Sequence, residues 1–211
     1  MSDARFKELF ARHSANPIIT ARDLPYQANA VFNAAATRCG EETLLLMRVE
    51  DRRGLSHLTA ARSRDGVTDW RIDERPTFSA DPENHPEEIW GIEDPRITRV
   101  DELDLWAVVY TAYSRGGPLV SLATTKDFKS FERKGVVMPP EDKDAALFPA
   151  RFNGRWAMLH RPVPGFAGVG AHIWISFSPD MKHWGDHQIL LPARKGGWWD
   201  ANKVGLSPPP L

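Results

Sequence analysis

Apolar and polar positions along the chain follow two rhythms. Near the start, Phe6, Leu9 and Phe10 recur at helical spacing in ARFKELFARH, which predicts a short helical lead-in over about 4–13, ending before Asn16-Pro17. From there on, short runs rich in β-branched and aromatic residues take over. They are TLLLMRV (Thr43 to Val49), LWAVVYTAY (Leu105 to Tyr113), LVSLATT (Leu119 to Thr125), RWAMLHRP (Arg155 to Pro162) and HIWISFS (His172 to Ser178). Each predicts a strand, so the chain is expected to be all-β.

A longer period lies over the strands. ARSRDGVTDWRI, ATTKDFKSFERKGVV and SFSPDMKHWGDHQIL share a small or hydroxyl residue, an Asp in a turn, and an aromatic four to five residues later, at Trp70, Phe131 and Trp184. Their spacing, roughly 50 to 60 residues, is near the period of four-stranded propeller blades once loops are added. A second landmark keeps the same rhythm, a polar residue ahead of a new strand at Asn33, Asp94, Asp144 and Asp200. The two series predict blades over Ala30 to Ile72, Asp94 to Val137 and Leu147 to Leu191, with a fourth starting at Trp198. The expectation is therefore one incomplete β-propeller domain over 1–211. A ring needs at least about four blades, so the edges of the last one are expected to be covered by chain beyond Leu211 or by a second copy in a homo-oligomer.

Composition narrows the partners. With 42% hydrophobic and 26% charged residues the chain reads as globular, and 27 Lys and Arg against 28 Asp and Glu leave a net charge of −1. That balance offers no attraction to nucleic acid or to an anionic membrane. The single Cys39 reads as a buried structural thiol. The seven His show no paired spacing with carboxylates of the kind a zinc site uses, and no Gly-rich phosphate loop is present, so neither metal nor cofactor is expected. The first residues lack the apolar core of a signal peptide, and no apolar run approaches the ~20 residues of a membrane span, which predicts a cytoplasmic location. Eight Trp offer faces on which sugar rings stack.

In a propeller, the turn entering the inner strand of each blade faces the central channel. Asn33, Asp94, Asp144 and Asp200 would meet there with Arg48, Lys143, His160, Arg161 and Lys203. A carboxyl beside a substrate oxygen can act as general acid, as in glycoside cleavage, and clustered Arg and Lys can hold phosphate. Taken one by one, these Asp also fit turn residues bonding their own backbone, Lys143 and Lys203 fit surface lysines, and His160-Arg161 fits a solvated strand end. Trp70, Phe131 and Trp184 fit core positions because they recur with the fold, whereas Trp90, Trp198 and Trp199 do not recur and suit sugar stacking. In GIEDPRIT, Glu93 reads as support for Asp94, and Arg96 as a brace for the carboxylates.

The segments NAVFNAA, LLLMRVEDRRGLSHLTAARSRDG, GIEDPRIT, YTAYSRGGPLVSLATTKDFKSFER, KDAALFPARFNGRWAMLHRP and WDANKVGLSPPP, in that order, resemble the family 130 glycoside hydrolases and phosphorylases, the β-mannoside phosphorylase group. The resemblance runs from Asn16 to Leu211. It implies a five-bladed β-propeller with about the last two blades outside this chain, and inverting phosphorolysis of β-mannosides to α-mannose 1-phosphate, with inorganic phosphate as co-substrate and no cofactor. It further implies that Asp94 is the catalytic acid, acting through a hydroxyl of the bound mannosyl unit, and that Lys143, Arg161 and Lys203 bind phosphate. Asn33 and Arg48 match contacts at the cleaved mannosyl subsite, with Asp144, His160 and Asp200 beside them. Where many members have Asn-Pro-Gly, this chain has Asn33-Ala34-Ala35. Two alternatives stand beside this reading: a hydrolase of the same family that uses water and a second carboxylate, and a non-catalytic carbohydrate-binding or truncated remnant.

Overall fold

The computed structural model describes residues 10–165 and 169–210. Within them, twelve strands form three four-stranded antiparallel sheets, each a meander in which consecutive strands pair. Sheet one holds β1 (Ala30–Cys39), β2 (Glu42–Glu50), β3 (Ser56–Ser63) and β4 (Arg71–Ile72). Sheet two holds β5 (Ile92–Val100), β6 (Leu105–Ser114), β7 (Gly117–Thr125) and β8 (Glu132–Met138). Sheet three holds β9 (Asp142–Leu147), β10 (Trp156–Pro162), β11 (Ile173–Ser178) and β12 (Gly185–Leu191).

The all-β expectation holds, but the five-bladed propeller does not. The described residues form three separate sheets, none closed into a barrel or curled as a propeller blade would be, and residues 198–210 add no fourth sheet. That last segment contributes only a parallel bridge between Ala171 and Lys203. The physical reason for the difference is that the sequence repeat reports the meander, a unit that pairs its own four strands, and does not encode how successive meanders are arranged. Most of the expected lead-in at 4–13 lies outside the described residues, and Phe10 to His13 are not helical. No helix among the described residues is long and apolar enough to cross a membrane.

Packing rather than pairing joins the sheets. On β6, Val108, Tyr110 and Ala112 face a core shared with sheet one through Leu44, Leu46, Leu58 and Phe78. Ala107 and Val109 face the opposite way, into a core shared with sheet three through Leu147, Trp156 and Met158. Sheet two is thus buried on both faces, which is why LWAVVYTAY reads as an unbroken apolar run. The outer face of sheet one, with Met47, Val49 and Ala61, is covered by Ile19, Leu24, Tyr26 and Ala28 of the preceding segment.

The recurring Asp turns link third to fourth strands. Asp65 Oδ1 accepts the N–H groups of Val67 and Thr68, Asp127 Oδ1 those of Lys129 and Ser130, and Asp180 Oδ1 those of Lys182 and His183, all at 2.8–2.9 Å. Trp70, Phe131 and Trp184 then each pack on a core cluster, as their recurrence predicts. Hydrogen bonds from Thr68 to Asp65, from Ser130 to Asp127 and from His183 to Asp180 hold all three carboxyls below their ordinary range. A carboxyl lowered on folding contributes stability that is present above its unfolded pKa and is lost as pH falls through the folded one. Stability is therefore expected to drop below about pH 4. The Asp65→Asn, Asp127→Asn, Asp180→Asn triple variant should show a shallower loss when urea midpoints are compared between neutral pH and about pH 3, and parallel losses would refute the attribution.

Candidate active site

The first strand of each sheet carries the same irregularity at the same place. The β1–β2 ladder steps from Phe32–Arg48 to Ala35–Leu46, the β5–β6 ladder from Glu93–Thr111 to Arg96–Val109, and the β9–β10 ladder from Lys143–Arg161 to Ala146–Leu159. Two residues on the first strand face one on its partner, which makes each step a β-bulge. The leading residue of each pair is left-handed: Asn33 at φ 47°, Asp94 at 48° and Asp144 at 53°. Asn and Asp enter that region more readily than other non-glycine residues. The second residues are Ala34, Pro95 and Ala145, and Pro95 fits because a bulge position can forgo its ladder N–H. Ala34 and Ala145 occupy the same place without a proline.

These three landmarks therefore lie inside first strands rather than in turns ahead of them, and they gather the cluster. Asn33 Nδ2 donates to Asp94 Oδ1 at 2.9 Å, joining sheet one to sheet two. Arg48 Nη1 donates to the same oxygen at 3.0 Å and Nη2 to Glu93 Oε1 at 2.9 Å. Arg48 is itself fixed by Ser56 Oγ at 3.0 Å from Nε and by the Phe32 ring 4.4 Å from Cζ. Ser56 also bridges Gly91, where φ is 99° and an added Cβ would lie 2.8 Å from the Ser56 N and O atoms. Only glycine permits that approach. Lys143 Nζ lies 3.8 Å from Glu93 Oε2, joining sheet three to sheet two. Arg161 Nε and Nη2 both donate to Asp144 Oδ2, at 2.9 and 2.8 Å.

Three cations thus face three carboxylates in a largely buried setting. Burial raises the Asp94 carboxyl, but the hydrogen bonds from Asn33 and Arg48 and the charges of Arg48 and Lys143 outweigh it and leave it below the ordinary range. For Glu93 the balance reverses: burial, with Asp94 and Glu50 nearby, exceeds the pull of Arg48 and Lys143 and leaves its carboxyl raised. Two adjacent carboxyls, one in the bulge and one just ahead of it, are held apart in acidity.

Not every candidate residue joins the cluster. Neighbours on a strand face opposite ways, so while Arg161 meets Asp144, His160 turns into the protein and pairs with Asp142. Asp200 pairs with Arg194 at 2.7 and 2.9 Å, beside Trp198, on which Arg194 stacks at 4.1 Å. Lys203 is exposed, on the bridge to Ala171. Two residues further on, Gly205 passes so close to Asp144 that a Cβ there would lie 3.6 Å from Oδ2. Arg96 braces main chain, not carboxylates, through the Pro95 and Leu206 carbonyls at 3.1 and 3.3 Å. Trp90 is about half exposed beside Tyr113, and Trp198 and Trp199 are exposed. Glu93, expected as support for Asp94, pairs with Arg48 and lies beside Lys143, whereas nothing in the local pattern marks Phe32 or Ser56. Among the described residues no three His, Cys, Asp or Glu are disposed to hold a metal ion.

A family model described as beta-1,4-mannooligosaccharide phosphorylase matches residues 7–211. The chain belongs to glycoside hydrolase family 130. It is 35% identical to the 1,2-beta-oligomannan phosphorylase of Thermoanaerobacter sp. (strain X514), over 95% of this chain and 67% of that protein. It is 32% identical to the beta-1,4-mannooligosaccharide phosphorylase of Ruminococcus albus, over 97% of this chain and 61% of that protein. Among solved structures, the beta-1,2-mannobiose phosphorylase of Listeria innocua in complex with beta-1,2-mannobiose superposes with a TM-score of 0.81, at 28% identity, over 92% of this chain and 69% of that one. The family 130 chain thus spans about two thirds of the length of these relatives. The resemblance carried by GIEDPRIT and its companion segments is borne out.

Proposed function

We propose that this family 130 chain carries the phosphate and mannosyl subsites of an inverting β-mannoside phosphorylase. The observation that supports it most is the placing of three carboxylate–cation contacts at three matching bulges: Arg48 on Asp94 and Glu93, Lys143 beside Glu93, and Arg161 on Asp144. Clustered cations in a mannoside-cleaving family favour phosphate over water as the attacking group, because a hydrolase has no use for that charge. Lys143 and Arg161 take the phosphate, with Lys203 brought in by the segment that passes Asp144. Asn33 and Arg48 orient the mannosyl unit beside Asp94, with Asp144 and Asp200 at its margin.

A phosphate oxygen attacks the anomeric carbon from the face opposite the leaving group, the C1–O bond breaks, and the leaving oxygen takes a proton that Asp94 supplies through a mannosyl hydroxyl. The product is α-mannose 1-phosphate. The lowered pKa of Asp94 is compatible with this role once phosphate arrives. The negative charge of phosphate, and its claim on Lys143, weaken one of the pulls that keep Asp94 ionised and move its pKa upward, toward where the proton is needed. A cytoplasmic location suits a charged product that membranes retain. A homo-oligomer would form on β12, the edge strand where Ile189, Leu190 and Leu191 are about half exposed.

Incubating the chain with β-1,2- and β-1,4-mannobiose, with and without inorganic phosphate, tests the proposal. Mannose 1-phosphate should form only with phosphate present. Phosphate-independent release of mannose would favour the hydrolase reading, and no turnover at any concentration would favour the remnant.

A further inference from the structure

Behind the cations lies a chain of side chains that this chemistry does not use. Asp142 Oδ2 is 2.6 Å from His160 Nδ1, His160 Nε2 is 2.7 Å from Ser176 Oγ, and Ser176 Oγ is 2.6 Å from His187 Nδ1. Asp142, His160 and Ser176 are buried, and only His187 reaches the surface. One proton arrangement satisfies every link: His187 Nδ1–H donates to Ser176, the Ser176 hydroxyl donates to His160 Nε2, and His160 Nδ1–H donates to Asp142. Carboxylate, imidazole and hydroxyl in this order have the form of a nucleophilic triad. Ser176 is 0% exposed, however, and its oxygen is also taken by His187, so no substrate reaches it.

The inner end of the chain shows what it serves. The bulge at Asp144 and Ala145 breaks the ladder opposite His160, between Leu159 and Arg161. The Arg161 N–H is taken instead by Asp142 Oδ1 at 3.1 Å. Asp142 therefore grips His160 with one oxygen and the Arg161 main chain with the other, and Lys143 is its neighbour in sequence. We propose that Asp142, held in place by His160 and Ser176, is the positioning residue of the anion subsite, setting Arg161 and Lys143 against Asp144. The inference rests on the reading that Arg161 and Lys143 bind phosphate.

The test is calorimetric titration of inorganic phosphate into the full chain and its variants, with mannobiose affinity measured in parallel. Asp142→Asn keeps the shape but removes the charge that His160 and the Arg161 N–H share, a loss expected to weaken phosphate binding by about tenfold or more. His160→Ala should do the same and Ser176→Ala less, with mannobiose affinity held within about twofold in each. A purely structural pair would lower the melting temperature and move both affinities together, which would overturn the inference, as would unchanged phosphate affinity in any folded variant. Asp142→Asn and Ser176→Ala are near-isosteric and decide the matter if His160→Ala does not fold. Failure of the parent chain to bind phosphate would instead count against the phosphorylase reading itself.

Discussion

Asp94→Asn is expected to lower kcat/KM for phosphorolysis by about a thousandfold, within the range typical of removing a general acid. The substitution keeps the size of the side chain and its place between Asn33 Nδ2 and Arg48 Nη1, so the bulge and the sheet-to-sheet contact it supports should persist. What it removes is the exchangeable proton. Phosphate affinity should rise slightly, because one of the three carboxylates facing Arg48, Lys143 and Arg161 has lost its charge.

Glu93→Gln is the necessary companion measurement. Glu93 has the raised carboxyl of the pair, and on acidity alone it would be the better proton donor at neutral pH. Geometry points the other way: Glu93 is occupied by Arg48 at one oxygen and lies beside Lys143 at the other, the posture of a residue that spaces two cations. Its replacement is expected to cost about tenfold at most, the share of a positioning charge. Steady-state rates for both variants, from neutral pH down to about pH 5, decide between the neighbours. A thousandfold loss in Glu93→Gln together with substantial activity in Asp94→Asn would exchange their roles.

Why Asp94 could be found from sequence, and Asp142 could not, follows from what a bulge does to a pattern. Asn33, Asp94 and Asp144 stand out because a left-handed position inside a strand selects Asn or Asp, leaving a polar residue where the apolar run should begin. Asp200 has the same residue type but pairs with Arg194 and lies outside any strand, so it lacks the bulge that marks the other three. DKDAAL carries three charges in six residues and reads as a loop, which moved the expected start of the third sheet to Leu147 instead of Asp142. Those charges are tolerated because Asp142 is paired by His160, while Lys143 and Asp144 face the cluster. His160 and Arg161 looked equivalent as neighbours in HRP, and strand alternation separates them. The propeller expectation went beyond what the repeat encodes: a recurring period marks each meander and does not specify how successive sheets are arranged.

Glu88→Ala should destabilise the fold by about 3–5 kcal/mol, the cost typical of breaking a buried ion pair from one side. Glu88 ends the short 3-10 turn Pro86–Glu88 and is 0% exposed. Its Oε1 accepts from the Tyr110 hydroxyl at 2.7 Å and from Arg133 Nε at 3.1 Å, and its Oε2 accepts from the Asp81 N–H at 2.8 Å and from Arg133 Nη2 at 3.2 Å. Removal would strand a guanidinium that also stacks over Phe78 at 4.2 Å, together with a phenol and a main-chain N–H. Burial first, and then the Glu88 charge, push the Tyr110 phenol up, so it stands protonated as the donor to Glu88. For a chain of this size the melting temperature should fall by about 10 °C. Glu88→Leu combined with Arg133→Met should recover much of the loss, because the expensive state is one buried charge without its partner. The effect should also reach the site: the Glu88 carbonyl accepts the Gly91 N–H at 2.9 Å, and Gly91 leads directly into the bulge that carries Glu93 and Asp94. Urea unfolding of the single and double variants, with residual kcat/KM measured where each is fully folded, checks both halves, and a single-variant loss below about 1 kcal/mol would show that water or a neighbouring group replaces Glu88 at little cost.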